Sequence, residues 1–284
     1  MPSVPSGSRA PARLPVEAGI YTIAALGRYP EVLHGISTRR SPDGEDWNLS
    51  SRRGSPHHPP DQSVALANRE KLARLLGIPL ARMVGCQQVH GSEVALVGAE
   101  DAGRGMYPDR SSMQGADGMV TNVPGIYLMA LSADCPPVFL YDPVRKASGL
   151  AHSGWKGTAA RIASNAVGEM SRQFGSEPED IIAAVGPGIG PCCYSVGPNV
   201  IEAVERAFPH PWDAPTPLLE TRGSLTYFNL REAIRRALLD SGVRPGNVTV
   251  EEVCTAHNLD TFYSHRGEAG QCGLFGAVLG LRDA

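Results

Sequence analysis

The chain has 284 residues, 42% of them apolar, with a formal net charge of -3 and an isoelectric point of about 6.2. This length is enough for a sizeable core and one or two domains. The charge balance offers no basic footprint for nucleic acid, and no apolar run is long enough to span a bilayer. We therefore expect an ordinary soluble globular protein with neither kind of partner.

The first nineteen residues are rich in Pro, Ser, Ala and Arg and lack the apolar middle of a secretory signal. We predict a mobile leader over 1–19, a single domain over 20–284 and a cytoplasmic location. Cysteines in that compartment are expected to be thiols and not disulfides. The six are Cys86, Cys135, Cys192, Cys193, Cys254 and Cys272.

The apolar pattern of the first half predicts strands over 21–26 and 32–38, then a polar loop over 40–60. A helix is predicted over 61–76, where Gly77 would be the C-cap. Its apolar face would contain Val64, Ala65, Leu72, Leu75 and Leu76. The segment 83–91 is predicted to be a strand, with 92–98 as its hairpin partner and a short strand over 116–121.

The centre of the chain, 129–158, is predicted to contain buried strands bounded by Pro and Gly. Helices are then predicted over 158–174, 196–208 and 229–239. Strands are predicted within 181–191, where a glycine-rich loop follows, and over 248–255 and 273–281. Because strands and helices mix without strict alternation, an α+β fold is favoured over a doubly wound sheet.

Three metal-competent side chains lie beside glycine or proline at predicted strand ends: His90, Cys135 and His152. Zinc takes imidazole and thiolate ligands, and catalytic zinc sites commonly have three protein ligands and one open position. The three residues therefore predict one zinc ion. Their spacing carries no tight motif, so the pattern alone favours a buried cysteine with two hydrogen-bonded histidines over a metal site.

Two other interpretations need no zinc. Cys135 is a candidate nucleophile, with His152 or His90 as its base and Asp134 nearby. A multicopper oxidase would need about ten histidines and a blue-copper cysteine flanked by histidine ligands. This chain has eight histidines, and Cys135 is flanked by Asp134 and Pro136, so copper oxidation is a poor match.

Seven blocks of the sequence resemble, in order, those of the laccase-domain family, first labelled multicopper polyphenol oxidases and now described as zinc-dependent purine nucleoside enzymes. The blocks are HGISTR (34–39), QQVHG (87–91), ADGMVT (116–121), SADCPPVFLYDP (132–143), AHSGWKGT (151–158), VGPGIGPCCYSVG (185–197) and CTAHNLDTFYSHR (254–266). The resemblance extends from about Tyr21 to the C-terminus. It implies an α+β domain of layered mixed sheets flanked by helices, similar in shape to cysteine-dependent toxin deamidases.

The resemblance also implies a zinc ion on His90, Cys135 and His152. The implied activities are phosphorolysis of adenosine, inosine, guanosine and methylthioadenosine, together with adenosine deamination. A three-ligand zinc that activates water near neutral pH is consistent with deamination. Partners would then be purine nucleosides and phosphate, and we expect a monomer or a weak homodimer.

Roles for other side chains follow from the same chemistry. Arg39, Lys156 and the backbone N–H groups of 154–158 are predicted to hold phosphate. Asp134 is predicted to orient a group or carry a proton. Substrate contacts are predicted for Asn48, Gln88, Trp155, His265 and Arg266, where stacking of Trp155 on a purine competes with ordinary core packing.

The C-terminus departs from the family pattern, because Gly267 and Gln271 stand where arginines are expected. Two other functions stay open. One is a hydrolase that edits misincorporated amino acids in peptidoglycan precursors, using Cys135 or zinc, as in a bacterial branch of the family. The other is a non-catalytic module that senses nucleosides. Products formed from adenosine with and without phosphate would distinguish them.

Overall fold

The computed structural model of the chain describes residues 14–51, 61–213 and 215–283. The predicted leader over 1–19 lies mostly outside these ranges, as does the 52–60 part of the predicted loop. Within the described residues, Val16–Glu17 forms a short strand that pairs with Ile20–Tyr21. No helix in these ranges is both long and apolar enough to cross a membrane.

The described residues form fifteen strands and five α-helices. The strands are β1 (Val16–Glu17), β2 (Ile20–Tyr21), β3 (Val32–Ser37), β4 (Met83–Gly85), β5 (Val94–Leu96), β6 (Gly118–Thr121), β7 (Tyr127–Ser132), β8 (Pro137–Asp142), β9 (Ala147–His152), β10 (Ile182–Val185), β11 (Ser195–Val196), β12 (Leu219–Arg222), β13 (Leu225–Phe228), β14 (Val248–Val250) and β15 (Phe275–Leu281). The helices are α1 (Gln62–Leu76), α2 (Trp155–Ala159), α3 (Ile162–Phe174), α4 (Pro198–Ala207) and α5 (Leu230–Asp240).

Two six-stranded mixed sheets form the centre of the fold. The first has the order β1-β2-β3-β15-β7-β4 and the second the order β14-β10-β8-β9-β6-β5. Most neighbours are antiparallel, but β4–β7, β5–β6 and β10–β14 are parallel. A third sheet of three strands has the order β11-β13-β12. Mixed sheets without βαβ alternation confirm the predicted α+β class.

The layers are held together by apolar side chains on both faces of the two large sheets. In β8, Phe139 and Tyr141 face a core shared with the first sheet. Val138 and Leu140 face the opposite core, which α3 and α5 cover. Because side chains alternate along a strand, a strand buried on both faces needs a continuous apolar run. This explains why β7, β8 and β9 could be predicted from the sequence as buried strands.

Several predicted elements differ from the structure. The strand predicted over 21–26 is wrong beyond Tyr21, because β2 ends there and residues 24–28 form turns. The strands predicted over 83–91 and 248–255 end early, at Gly85 and Val250.

Residues 92–98 do not form a hairpin with 83–91, because β4 lies in the first sheet and β5 in the second. Val64 and Leu75 of α1 are 45% and 39% exposed, so the buried face of that helix is narrower than predicted. The helix predicted over 158–174 is broken at Arg161, whose φ of 63° lies in the left-handed region and separates α2 from α3.

A partly buried histidine at β3 makes stability depend on pH. His34 Nε2 accepts a hydrogen bond from the backbone N–H of Ile23 at 2.9 Å, and burial lowers its pKa from 6.5 to about 4. As the pH falls, His34 therefore becomes protonated in the unfolded chain at a higher pH than in the folded protein. The contribution of His34 to stability is complete above pH 6.5 and is lost as the pH falls towards 4.

We expect the free energy of unfolding to fall by about 2 kcal/mol between pH 7.5 and 5.0 because of this one group. Gln keeps a hydrogen-bond acceptor but does not titrate, so His34→Gln should flatten the curve by that amount. Urea unfolding at the two pH values measures the effect. His210→Gln, at a largely exposed histidine, is the control. Equal pH dependence of the wild type and His34→Gln would refute the assignment.

Candidate metal centre and cavity

The predicted ligands come from three separate places in the fold. His90 lies in the loop after β4, Cys135 in the turn between β7 and β8, and His152 at the end of β9. The β8–β9 register pairs Pro137 with His152, so the turn before β8 brings Cys135 towards that imidazole. The ligand atoms of the three side chains all lie within 4.8 Å of one another. The two imidazole rings are 4.9 Å apart at 83°.

A buried carboxylate holds both histidines in place. Asp117, at the start of β6, accepts hydrogen bonds from the backbone N–H groups of Val89, His90 and Gly91 at 2.7–3.0 Å. The same carboxylate is hydrogen-bonded to His152, with 3.0 Å between Asp117 Oδ1 and His152 Nδ1. A carboxylate bonded to Nδ1 leaves Nε2 of the ring as the ligand atom. Asp117 also stabilises the left-handed backbone of His90, whose φ is 60°.

Charges at this cluster favour a thiolate beside an imidazolium. Burial by itself raises the pKa of Cys135. The charges and hydrogen bonds of His152 and His90 lower it by a larger amount, so the pKa falls from 9.0 to about 7. Burial lowers the pKa of His152, whereas the charges and hydrogen bonds of Cys135 and Asp117 raise it to about 9. A divalent cation would replace the imidazolium proton as the positive charge here, because metal binding releases protons from its ligands.

The donor set and spacing fit a zinc ion. Ligand atoms 2.0–2.3 Å from a tetrahedral zinc stand about 3.3–3.8 Å apart, so side chains whose ligand atoms lie within 4.8 Å of one another need to close by no more than about 1.5 Å. Three protein donors leave a fourth position, which is the arrangement of catalytic and not of closed structural sites.

Gly154, directly after the β9 end, lies against the cluster. A Cβ on this residue would be 2.9 Å from Cys135 Sγ and 3.2 Å from His90 Cδ2. Its φ of -75° suits any residue, so the need for glycine here is steric and not conformational. The side chains that would be pushed aside are two of the three candidate ligands.

We therefore expect Gly154→Ala to weaken zinc binding by about tenfold or more, because ligand positions must be held within about 0.5 Å. Competition with a chromophoric chelator measures this change. Gly168→Ala is the matched control: nothing lies within 4 Å of its Cβ, it is exposed in α3, and alanine there should only stabilise the helix. An unchanged zinc affinity in Gly154→Ala would contradict this account.

The cluster faces a cavity of about 470 Å³ between α1, the 105–114 loop and β7. Its walls combine apolar groups, among them Met106, Met129 and Leu131, with serine hydroxyls and glutamine amides. Two arginines reach the lining. Arg69 is buried and donates to three backbone carbonyls, and Arg110 donates to the Ala102 carbonyl. The volume and this mixture are typical of small-molecule sites.

Of the other predicted site residues, Gln88 lines the cavity. Its amide exchanges two 2.8 Å hydrogen bonds with the backbone of Leu131, so it fixes the loop against β7. Asp134 is buried next to Cys135, in the left-handed region at φ 90°. Its carboxylate accepts from Thr255 Oγ1, Ser264 Oγ and the Arg266 backbone N–H at 2.6–2.7 Å, so it anchors two later segments.

The remaining predicted side chains are outside the cavity lining in the described part of the chain. Arg39 pairs with Glu268 at 2.9 Å and donates to the Leu259 carbonyl. Trp155 packs partly buried beside the α3–α5 core, and Lys156 Nζ lies 5.6 Å from its ring.

Three more of these residues belong to the surrounding scaffold. Asn48 is buried behind the wall, where its Oδ1 accepts from Ser50 and Leu274 N–H groups. His265 and Arg266 are exposed, and the Arg266 guanidinium stacks on Tyr194 at 5.3 Å.

Sequence reasoning does not predict Asp117 as a site residue, although it lies in the block ADGMVT. The available signal was a carboxylate directly before a buried apolar strand, where an unpaired charge would be costly. Arg69 and Arg110 were also not assigned to the site, because a helix and a distant polar loop supply them and only the fold brings them to one cavity.

The comparison with known proteins agrees with this geometry. The family described as "Multi-copper polyphenol oxidoreductase laccase" matches residues 34–282. The chain belongs to this family. It is 35% identical over 249 residues to "Purine nucleoside phosphorylase YlmD" of Geobacillus stearothermophilus, covering 88% of this chain and 90% of that protein.

One further relative and one solved structure extend the comparison. "Adenosine deaminase RL5", from an unknown prokaryotic organism, is 32% identical over 209 residues, covering 72% of this chain and 78% of that one. The crystal structure of YlmD from Geobacillus stearothermophilus superposes with a TM-score of 0.86 at 32% identity, covering 96% of this chain and all of that one. The likeness confirms the fold.

Proposed function

We propose that this protein is a zinc enzyme that cleaves purine nucleosides by phosphorolysis, with adenosine, inosine, guanosine and methylthioadenosine as substrates. The observation that carries the proposal is the His90–Cys135–His152 cluster at the wall of a 470 Å³ cavity. Relatives named purine nucleoside phosphorylase support the substrate class. The family description names copper. A multicopper centre, however, needs a larger set of histidines, whereas one thiolate and two imidazoles suit a single zinc.

When bound to these ligands, zinc supplies a Lewis acid that polarises an oxygen and lowers the pKa of water. The protein's own part is to position the reactants. Asp117 fixes the tautomer of His152, and the buried contacts of Asp134 hold the turn that carries Cys135. We assign the apolar wall at Met106 and Met129 to the purine, and the serine and glutamine groups to the ribose.

Phosphate needs positive charge at the ribose end of the cavity. Arg110 and Arg69 bring guanidinium groups to the lining, and we propose Arg110 as the phosphate contact because Arg69 already donates to three buried carbonyls. The phosphate roles of Arg39 and Lys156 stay predictions, as do the substrate contacts of Asn48, Trp155, His265 and Arg266. For Asp134, the three donors on its carboxylate support a positioning role over proton transfer.

Adenosine deamination is a second proposed activity of the same site, supported by the relative named adenosine deaminase. Incubation of the purified protein with adenosine, with and without phosphate, separates the possibilities. Phosphate-dependent adenine and ribose 1-phosphate are expected from phosphorolysis, and phosphate-independent inosine from deamination. If neither product forms, the nucleoside proposal fails. The peptidoglycan-precursor hydrolase receives no support from the names of the relatives.

A further inference from the structure

A second group of metal-competent side chains lies apart from the cavity. Cys192, Cys193, Cys254 and His257 place their ligand atoms within 4.8 Å of one another. None of the four belongs to the cavity lining. Their thiols are free and not joined by a disulfide. From these residues we infer that the chain binds a second, structural zinc ion in a Cys3His site.

Two spacings within this cluster are close to those of a tetrahedral centre. His257 Nδ1 is 3.6 Å from Cys192 Sγ, and its Nε2 is 3.2 Å from Cys193 Sγ. Sulfur and nitrogen ligands of one zinc stand about 3.6 Å apart. The ring is exposed between the two sulfurs, so it turns to offer either nitrogen without disturbing the core. Four protein ligands close the coordination sphere, which distinguishes this site from the three-ligand cavity site.

Backbone hydrogen bonds join the two loops that carry the cluster, which favours a preformed site. The ligands lie on two loops that continue the parallel pair β10–β14. The loops are joined by backbone hydrogen bonds from Gly188 N–H to the Val253 carbonyl and from Thr255 N–H to the Gly188 carbonyl, at 3.1–3.2 Å. The short turn Thr255–His257 then presents the imidazole one helical turn after Cys254.

Charge and hydrogen bonding around the sulfurs suit thiolates. The Gly190 N–H donates to Cys254 Sγ at 3.2 Å. A Cβ on Gly190 would lie 3.0 Å from both Cys192 Sγ and Arg231 Nη2, so the buried guanidinium reaches the same side of the loop and lies within 6.0 Å of that sulfur. Three thiolates on a divalent zinc carry one net negative charge. The cation of Arg231 balances it, as a buried charge requires.

The position of the cluster explains what the metal would do. Thr255, beside Cys254, donates to Asp134, and the Ile189 N–H donates to the Asp134 carbonyl. Asp134 precedes Cys135 in the cavity site. Zinc at the Cys3His site would therefore join the two loops that support this turn, adding its binding free energy to folding.

Zinc stoichiometry tests the inference on the full-length protein, purified with reductant and dialysed against a weak chelator. We expect two zinc ions per chain in the wild type by elemental mass spectrometry. The combined Cys192→Ser/His257→Ala variant, which removes two exposed ligands, should retain one zinc and unfold at a lower temperature. Cys135→Ala should also retain one, and the combination of all three substitutions none.

Cobalt gives an independent readout, because thiolate ligation produces charge-transfer absorption in the near ultraviolet. Cobalt-loaded Cys135→Ala should show this absorption, and the triple variant should not. Cys86→Ser and His210→Ala, which change a cysteine and a histidine outside the cluster, should keep both zinc ions. The inference is overturned if Cys192→Ser/His257→Ala retains as much zinc as the wild type, or if mass spectrometry finds a disulfide among the three cysteines. A single zinc lost with Cys192→Ser/His257→Ala but kept in Cys135→Ala would refute the cavity site instead.

Discussion

Replacing Cys135 with alanine is expected to remove the zinc ion of the cavity site and to lower kcat/KM for phosphorolysis by about a thousandfold or more. The thiolate is the single anionic ligand of this set, and its loss leaves two neutral imidazoles. A metal ion contributes several kcal/mol of transition-state stabilisation, and each 1.4 kcal/mol is about tenfold in rate. Zinc content and steady-state phosphorolysis of inosine are the two measurements.

Cys86→Ala is the matched control for the metal measurement, since Cys86 also lines the cavity but lies outside the cluster. Burial raises the pKa of the Cys86 thiol to about 12, with a smaller contribution from the charge of Asp117, so it stays protonated and is a poor ligand. This variant should keep its zinc. Loss of activity with full zinc retention in Cys135→Ala would instead make Cys135 the nucleophile, the interpretation that the sequence left open.

Replacing Asp117 with asparagine is expected to weaken zinc binding at the cavity by about 10–100-fold, the usual effect of losing a carboxylate behind a ligating histidine. Burial raises the pKa of Asp117, but hydrogen bonds from His152 and from backbone N–H groups lower it below its ordinary value. The carboxylate is thus charged and bonded to four donors. Asparagine has the same shape but one acceptor fewer, and its NH2 would face an N–H donor.

The same substitution should lower the free energy of unfolding by at least about 2 kcal/mol, because a hydrogen bond to a buried charge is lost and a donor is left unpaired. Chelator competition gives the affinity, and urea unfolding of the metal-free protein gives the stability. Asp142→Asn is the control, as Asp142 is equally buried but lies at the far end of β8 from the site. Zinc affinity should be unchanged there. Equal zinc affinity in folded Asp117→Asn and in the wild type would show that Asp117 does not orient His152.

Together these variants separate the ligands from their support. In the proposed site Cys135 would bind the metal directly, whereas Asp117 holds two histidines by hydrogen bonds and Gly154 leaves room for the candidate ligand side chains. Substitution of Cys135 is expected to abolish metal binding, whereas substitution of Asp117 or Gly154 is expected to weaken it. The Cys3His cluster lies outside the cavity lining. It is connected to the turn that carries Cys135 by the hydrogen bond from Thr255, which follows Cys254, to Asp134.

The amino-acid sequence by itself determined much of the fold. The segments of β7, β8 and β15 consist almost wholly of apolar residues and glycine, and β9 combines small and apolar residues before His152, so both burial and strand character followed from local pattern. The sequence also predicted the candidate ligands, because Cys135 and His152 stood at the ends of those strands and the ordered family blocks added His90, and the fold brings the three side chains together.

Only the tertiary structure decided which elements are neighbours and which polar groups meet. The separation of β4 from β5 into different sheets depends on pairing with β7 and β6, which no local pattern encodes. The role of Asp117 and the meeting of Cys192 with His257 likewise depend on contacts across 26–65 positions of chain. The chemistry of each side chain can be taken directly from the sequence. The partner of a buried charge or thiol depends on how distant strands and loops pack, and that packing exists only in the folded chain.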